Sequence, residues 1–325
     1  MKKHFKKLLL MALMAVMTVG LIACGTDKSD NESTKEEKTS VTITSLDSSK
    51  NEIELEVPYN PKRIAILDLA SLDIIDELGV GDRVVGMAST SIDYLEKYSN
   101  DASIKNLGTI KEADLEAVME CEPDIIFIGG RLSKSYDALS EIAPVVYLAT
   151  DTNEGLVNSV SKNAKTIASI FGMEDKVDSL MSDFGARIDA IKKISSGKTA
   201  LVGMTTSGSF NLLGNDGRCS LIGVEAGFNN LTAAGSTSTH GNETSFETVV
   251  KQNPDYIFVM DRDSAISTAG AKNAKEIVEN ELVKTTDAYK NNHIIYLEHS
   301  NVWYTAEGGI QALDIMLTDL EKGLK

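Results

Sequence analysis

Arginine, tryptophan and cysteine are all scarce in this 325-residue sequence, and each shortage limits the chemistry open to it. The three cysteines, Cys24, Cys121 and Cys219, show no zinc-ligand spacing. The four histidines include no zinc-type pair, and neither a nucleophile elbow nor a Gly-rich phosphate loop occurs. Hydrolytic or phosphoryl-transfer chemistry is left without recognisable machinery. Positive charge is also in deficit, with 32 Lys and Arg against 48 Asp and Glu and a formal net charge of −16. Such acidity keeps a protein soluble and disfavours nucleic acid as a partner. It also means that a site for an anionic ligand has to gather its cations locally. Arginine occurs only at positions 63, 83, 131, 187, 218 and 262, so the places where it stands carry information.

What is present begins with a leader. Lys2, Lys3, Lys6 and Lys7 precede an apolar run, Leu8–Ile22, that is too short for an ordinary transmembrane helix and reads as a secretory signal. It ends in Leu21-Ile22-Ala23-Cys24, which resembles the bacterial lipobox. That resemblance implies a diacylglyceryl group on Cys24 and cleavage before it; the alternative is a plain signal peptide that contains Cys24. Two acyl chains give stable membrane anchoring where one does not. Loss of the leader and its four lysines takes the net charge to −20. An exported protein permits a disulfide between Cys121 and Cys219, and the simpler reading is two small buried thiols.

Residues 24–40 follow as a flexible tether, because GTDKSDNESTKEEKTS has no large apolar side chain to bury. The remaining chain, about 285 residues, exceeds what one hydrophobic core usually serves, which predicts two lobes. Val41–Val57 alternates polar and apolar residues as an opening β-ribbon does. A βαβ rhythm then predicts strands at Arg63–Leu67, Arg83–Met87, Ile125–Ile128 and Val145–Leu148. Helices fall between them at Ser71–Leu78, closed by Gly79, at Leu115–Glu120 and at Tyr136–Ile142. Short apolar strands between helices argue for a mainly parallel sheet covered on both faces.

From Asn153 to Ile194 the pattern is helical with a break at Phe171-Gly172. Val177, Leu180, Met181, Phe184, Ile188 and Ile191 form an apolar stripe of helical period. Read as one rigid helix, residues 173–195, of which Met173–Ile194 would span roughly 33 Å, bridge two lobes, 41–172 and 196–325. Strands resume at Leu201–Thr205, Tyr256–Met260 and Ile294–Leu297, with Ser207-Gly208-Ser209 a turn by composition and Glu307–Leu320 a closing helix.

The two halves repeat one unit. Glu116 and Glu247, Pro123 and Pro254, and Arg131 and Arg262 are each 131 residues apart, in segments that run helix, Pro-Asp turn, strand, arginine. An arginine just past the C-terminal end of a strand stands where α/β sheets place ligands. Planar guanidinium groups suit an anionic oxygen array better than lysine does, so Arg131, Arg218 and Arg262 are the candidate binding cations. Singly, each could be a surface cation; three of six on predicted loop tips favour a site.

The lipobox, the paired units and the single bridging helix resemble the binding proteins of ABC importers for siderophores, haem and cobalamin. The likeness covers the mature chain. Within that group the sequence most resembles binders of ferric catecholate siderophores, through Arg131 in GGRLSKSYDAL, Arg218 in GNDGRCSLIG, His240 in STHGNETSFE, Arg262 in VMDRDSA and Tyr304 in NVWYTAEGG. The resemblance implies a monomer of two Rossmann-like α/β lobes with the ligand in the cleft between them, no intrinsic cofactor and no enzymatic activity. It implies that Glu116 and Glu247, one on each lobe, dock on the two permease subunits, although a glutamate early in a helix also suits the helix dipole without a partner. His240 and Tyr304 are candidate ligands of the siderophore's iron(III), and Trp303, the sole tryptophan, is expected beside the bound complex. The plainer alternatives are a polar loop residue for His240 and aromatic packing for Tyr304; His293 and His299 read as structural. Haem or cobalamin binding is the rival within the group, and a lipid-anchored hydrolase the rival outside it.

Overall fold

The computed structural model describes residues 38–234 and 236–325, so the leader, most of the tether and the lipidation candidate Cys24 lie outside the described residues. Alternation at the start of this region does produce a ribbon: β1 (Ser40–Leu46) and β2 (Glu52–Pro58) pair antiparallel with Ser40 opposite Pro58. Ser45 Oγ fastens the ribbon to the first lobe by accepting from Tyr147 N at 3.0 Å and donating to Tyr147 O at 3.3 Å.

The first lobe is a five-stranded sheet in which every pairing is parallel, ordered β5 (Lys105–Asn106), β4 (Val84–Met87), β3 (Ile64–Leu67), β6 (Ile125–Ile128), β7 (Val145–Tyr147). β3 and β6 are buried at every residue, as strands covered by helices on both faces must be. The chain winds outward from β3 to β5, then returns to β6 on the other side. Connections therefore diverge between the C-terminal ends of β3 and β6, the usual opening for a ligand in such a sheet.

The second lobe repeats the scheme with a difference. Its six strands are β8 (Thr199–Thr206), β9 (Ser209–Leu212), β10 (Asn229–Asn230), β11 (Asn242–Glu243), β12 (Tyr256–Asp261) and β13 (Ile294–Tyr296). β8 pairs parallel with β12 and β10, and β12 with β13, whereas β9 is antiparallel to both β8 and β11. The β8–β9 hairpin turns on Ser207 and Gly208 at φ of 51° and 80°, the left-handed pair that a two-residue hairpin demands. The sequence pattern marks β8 and its turn, but not β9 or the short β5, β10 and β11.

The repeat reaches individual hydrogen bonds. Asp114 and Ser245, 131 residues apart, cap the helices Leu115–Glu120 and Phe246–Gln252. Glu122 and Asn253 both take left-handed backbone, at φ of 43° and 42°. The carboxylates of Asp124 and Asp255 then each bind the amide that leads into the neighbouring strand, at Arg63 N (2.9 Å) and Thr199 N (2.8 Å).

The single bridging helix expected over residues 173–195 is a correction: the segment is two helices, Glu174–Leu180 and Phe184–Ser195, broken at 181–183. Ser182 Oγ donates to Ser179 O at 2.8 Å, and Asp183 follows it, so short polar side chains compete for the backbone where the helix would continue. Arg187 on the second segment binds Asp314, Thr318 and Glu321 of the closing helix Ile310–Gly323, which ties that segment to the second lobe. No helix among the described residues is long and apolar enough to cross a membrane.

Two carboxylates join the lobes. Asp73, on the first lobe's helix Leu69–Glu77, accepts from Gln311 N and Ala312 N, both at 2.9 Å, at the start of the closing helix, and from Tyr94 Oη at 2.7 Å. Glu225 of the second lobe reaches the other way, accepting from Val157 N at 3.2 Å at the start of the helix Leu156–Phe171. Helix starts leave free N–H groups and a partial positive charge, so an acceptor is needed there and an anion is favoured. Asp73 is 1% exposed, and its burial pushes the carboxyl up to about 6 against the pull of Tyr94 and the two amides.

Asp73→Ala strands the two amides and the tyrosine hydroxyl, and should cost about 2–4 kcal/mol in denaturant unfolding. Because the folded carboxyl titrates above its ordinary 3.8, its contribution is complete below that value and is lost as pH rises through about 6. Asp73→Asn should therefore flatten the part of the stability–pH curve between those limits; an unchanged curve would show that Asp73 does not titrate there.

Candidate functional site

The loops at the C-terminal strand ends bring three arginines to one tyrosine. Arg131 follows β6 through Gly129-Gly130, and Arg262 opens a short helix directly after β12. Arg218 stands before the helical turn Ser220–Gly223, and Tyr304 sits on the helix Ser300–Thr305 after β13. The guanidinium carbons of Arg131, Arg218 and Arg262 lie 5.7, 4.5 and 5.5 Å from the centre of the Tyr304 ring. Each is within reach of the ring's negative face, which offsets part of the repulsion among the three cations.

Hydrogen bonds fix this arrangement. Arg131 Nη2 donates across the cleft to Tyr304 O at 3.0 Å, and Arg218 Nη1 to Thr239 O at 2.9 Å. Arg262 Nε donates to Tyr304 Oη at 3.1 Å and Nη1 to Thr206 Oγ1 at 3.1 Å. Of the three, Arg262 is the one with an ion pair among the described residues, to Asp263 at 3.2 Å. Burial raises the Tyr304 phenol, but the Arg262 hydrogen bond and the charges of Arg218, Arg262 and Arg131 outweigh it and leave the phenol below its ordinary value. Loss of solvent, then the neighbouring Arg218, depress Arg131. Three positive charges are thus gathered around one ring in a strongly acidic protein.

Arg131, Arg218 and Tyr304 line a cavity of about 760 Å³ that runs from the strand ends toward the ribbon, past Ser45, Lys50, Lys162 and Asn163. Asp68, at the end of β3, caps the helix after it by accepting from Ser71 N at 2.9 Å and lies near Arg131. Glu307 also lines the cavity, accepting from Cys219 N at 3.1 Å; burial pushes its carboxyl up to about 7, against the charge of Arg218. Sequence reading missed Glu307, although it stands three residues beyond Tyr304 in the same segment. The expected helix start at Glu307 masked it, since the helix begins only at Ile310.

His240 is exposed on the loop after β10, and its carbonyl accepts from Asn211 Nδ2 at 2.9 Å. Solvent loss and the charges of Arg262, Arg218 and Lys111 lower its imidazole below the ordinary 6.5, which puts it in the same field as the arginines. It does not line the cavity. Trp303 corrects the expectation of contact with a ligand. It is 0% exposed and donates from Nε1 to Asp319 Oδ2 at 2.9 Å inside the second lobe. Successive side chains on a helix point about 100° apart, which lets Tyr304 take the cleft while Trp303 takes the core. His299 joins the same Asp319 at 2.7 Å and His293 stacks on Tyr256 at 4.2 Å, so both are structural. Cys121 and Cys219 are free and buried.

Glu116 and Glu247 are exposed, each at the second position of its helix after the capping residue. They stand on the outer surface of their lobes and not in the cavity.

Comparison with known proteins places this geometry. The chain is 36% identical over 330 aligned residues to the petrobactin-binding protein YclQ of Bacillus subtilis, across 98% of this chain and 99% of that one. The YclQ crystal structure superposes with a TM-score of 0.80 over 88% of this chain and 99% of the other. The catecholate-siderophore-binding protein VctP of Vibrio cholerae superposes with a TM-score of 0.78 at 31% identity, over 87% of this chain and 100% of that one. The ferric-anguibactin-binding protein FatB of Vibrio anguillarum is 26% identical, across 82% of this chain and 84% of its own. These are binding proteins, not enzymes. With the family pattern matching residues 64–300, from the first buried strand to the start of the helix that carries Tyr304, the chain belongs to the periplasmic binding protein family.

Proposed function

We propose that this protein is the extracytoplasmic receptor of an ABC importer, held to the membrane through a lipidated Cys24, and that it captures an iron(III) catecholate siderophore for uptake. The observation that carries the reading is the ring of Arg131, Arg218 and Arg262 around Tyr304 at the cleft. A ferric catecholate complex is an anion that presents an array of oxygens, and guanidinium groups meet such an array with several charge-assisted hydrogen bonds each. Arg131 and Arg218, without ion pairs of their own among the described residues, have donors to spare. The relatives YclQ and VctP, named for petrobactin and catecholate-siderophore binding, support the same class of ligand.

His240 and Tyr304 are assigned to the iron. A siderophore with two catecholates leaves two of six iron positions open, and a phenolate already pulled below its ordinary value by three arginines is a hard oxygen donor suited to one of them. Neutral imidazole suits the other, and loss of solvent together with the charges of Arg262 and Arg218 keeps His240 neutral to lower pH than usual. Glu116 and Glu247 are assigned to the two membrane subunits of the importer.

Binding is measurable through quenching of Trp303, the sole tryptophan, by energy transfer to the coloured complex from its place beside Tyr304. Ferric catecholates should quench with one-to-one saturation, and haem, cobalamin and ferric hydroxamates should not; preference for haem or cobalamin would overturn the assignment. Replacing Arg131, Arg218 or Arg262 by Ala should weaken binding about 10- to 100-fold each, the worth of a hydrogen bond to a charged group.

Tyr304→Phe and His240→Ala should weaken a tetradentate ferric catecholate and shift its charge-transfer band, while leaving a hexadentate complex almost unaffected. For the tetradentate complex, His240→Ala should remove the part of the acid loss of affinity that lies below 6.5, where His240 takes a proton. Equal behaviour of wild type and both variants with both complexes would reduce the pair to pocket lining.

Charge reversal at Glu116 or Glu247 should leave ligand affinity intact and impair iron uptake in cells by similar amounts. Uptake unchanged by both reversals would leave these glutamates as helix-dipole partners only.

A further inference from the structure

A carboxyl group set among the cations of an anion site works against the ligand unless its charge can be removed. Glu307 is such a group. It lines the same cavity as Arg131 and Arg218, yet forms no ion pair with either among the described residues, and its one hydrogen-bond donor there is Cys219 N at 3.1 Å. One amide leaves most of the carboxylate's roughly four acceptor positions without a partner among the described residues. Glu225 is near enough to act on it by charge; its Oε1 accepts from Val157 N at 3.2 Å and its Oε2 is buried with no partner in the described structure. A second carboxylate nearby, with an unused buried oxygen, further disfavours charge on Glu307.

We propose that Glu307 reads the charge of the ligand: when an anionic complex seats against Arg131 and Arg218, Glu307 takes up one proton from solvent, and ligand and proton are captured together. The inference rests on the reading that the cleft takes an anionic ferric complex. The groups that face Glu307 are Arg218 and the buried Cys219 thiol on the preceding loop, Arg131 from the other lobe, and Glu225 beyond the helical turn. Burial pushes the Glu307 carboxyl up to about 7, against the charge of Arg218. A bound anion adds like charge and removes more water, and both act to raise that value further. The neutral acid then leaves Arg131 and Arg218 wholly to the ligand, and a neutral or cationic complex gains nothing from the exchange.

The test is calorimetric titration with a hexadentate ferric tris-catecholate in buffers of different ionisation enthalpy, which reads protons exchanged on binding. Wild type should take up about half a proton at pH 7, rising to about 0.9 at pH 8, beyond the exchange shown by Glu307→Gln. The protons of the complex itself are common to both proteins and cancel in the difference. Affinity of the wild type should fall up to about tenfold per pH unit above 7, whereas Glu307→Gln should be nearly flat and bind more tightly at pH 8. Equal proton uptake by wild type and variant overturns the proposal. Should the variant lose its native near-ultraviolet dichroism, the wild-type series decides alone, and an uptake that does not grow between pH 7 and 8 overturns it. A wild type that fails to bind the complex at all defeats the functional reading itself, a result separate from binding without proton uptake.

Discussion

The cleft is held in shape by two carboxylates that bind the starts of helices across it. Asp73 of the first lobe takes the amides of Gln311 and Ala312, and Glu225 of the second takes the amide of Val157. Such a contact resists sliding as well as separation. The amides at a helix start point one way, and a buried acceptor that leaves them strands polar groups from which water is excluded. Gly309 shows how close the approach is, since a Cβ there would lie 2.3 Å from Asp73 Oδ2. With the bridging segment broken into two helices, stiffness at this boundary comes from these caps and from the bonds between Arg187 and the closing helix rather than from one continuous rod.

That fixed boundary is what lets positive charge accumulate. Three guanidinium groups around one ring repel one another, and they stay because loops of both lobes tie them down. Arg131 reaches from the first lobe to the carbonyl of Tyr304 in the second, while Arg218 and Arg262 are tied within the second. The site therefore meets its ligand already assembled, and the repulsion that the Tyr304 ring leaves among the cations favours an arriving anion. Preorganisation of this kind spares affinity the cost of ordering flexible side chains on binding. In a protein of net charge −16 it also gives an anion one attractive destination.

Much of this was legible in the sequence where a local rule and a global pattern agreed. The strand Ile125–Ile128 and the helix Leu115–Glu120 emerge at the expected residues, because an N-cap, an apolar run and a Pro-Asp turn all mark the same boundaries. Arg131 and Arg262 were found through the 131-residue repeat, and the structure puts both at the strand ends beside Tyr304. Of the β8–β9 hairpin, the first strand and the turn were legible but β9 was not, since it is only four residues long. The break at 181–183 was hidden by an apolar stripe that continues across it in register, while Ser182 and Asp183 divert the backbone.

The sequence by itself determined the α/β class, the twofold repeat, the scarcity that makes each arginine informative, and the exclusion of common catalytic motifs. These are properties of periodicity and residue type, which act over a few neighbours along the chain. Only the tertiary structure decided which side chains share a space. It turned Trp303 into the core beside Asp319 and left Tyr304 at the cleft, a difference of one residue on a short helix. It brought Glu307 to Arg218 across 89 positions of sequence, and Asp73 to Gln311 across 238. Burial and the approach of distant charges are set by packing between elements, so the protonation of Asp73 and Glu307 and the field around Tyr304 belong to the fold and cannot be read from any stretch of the chain.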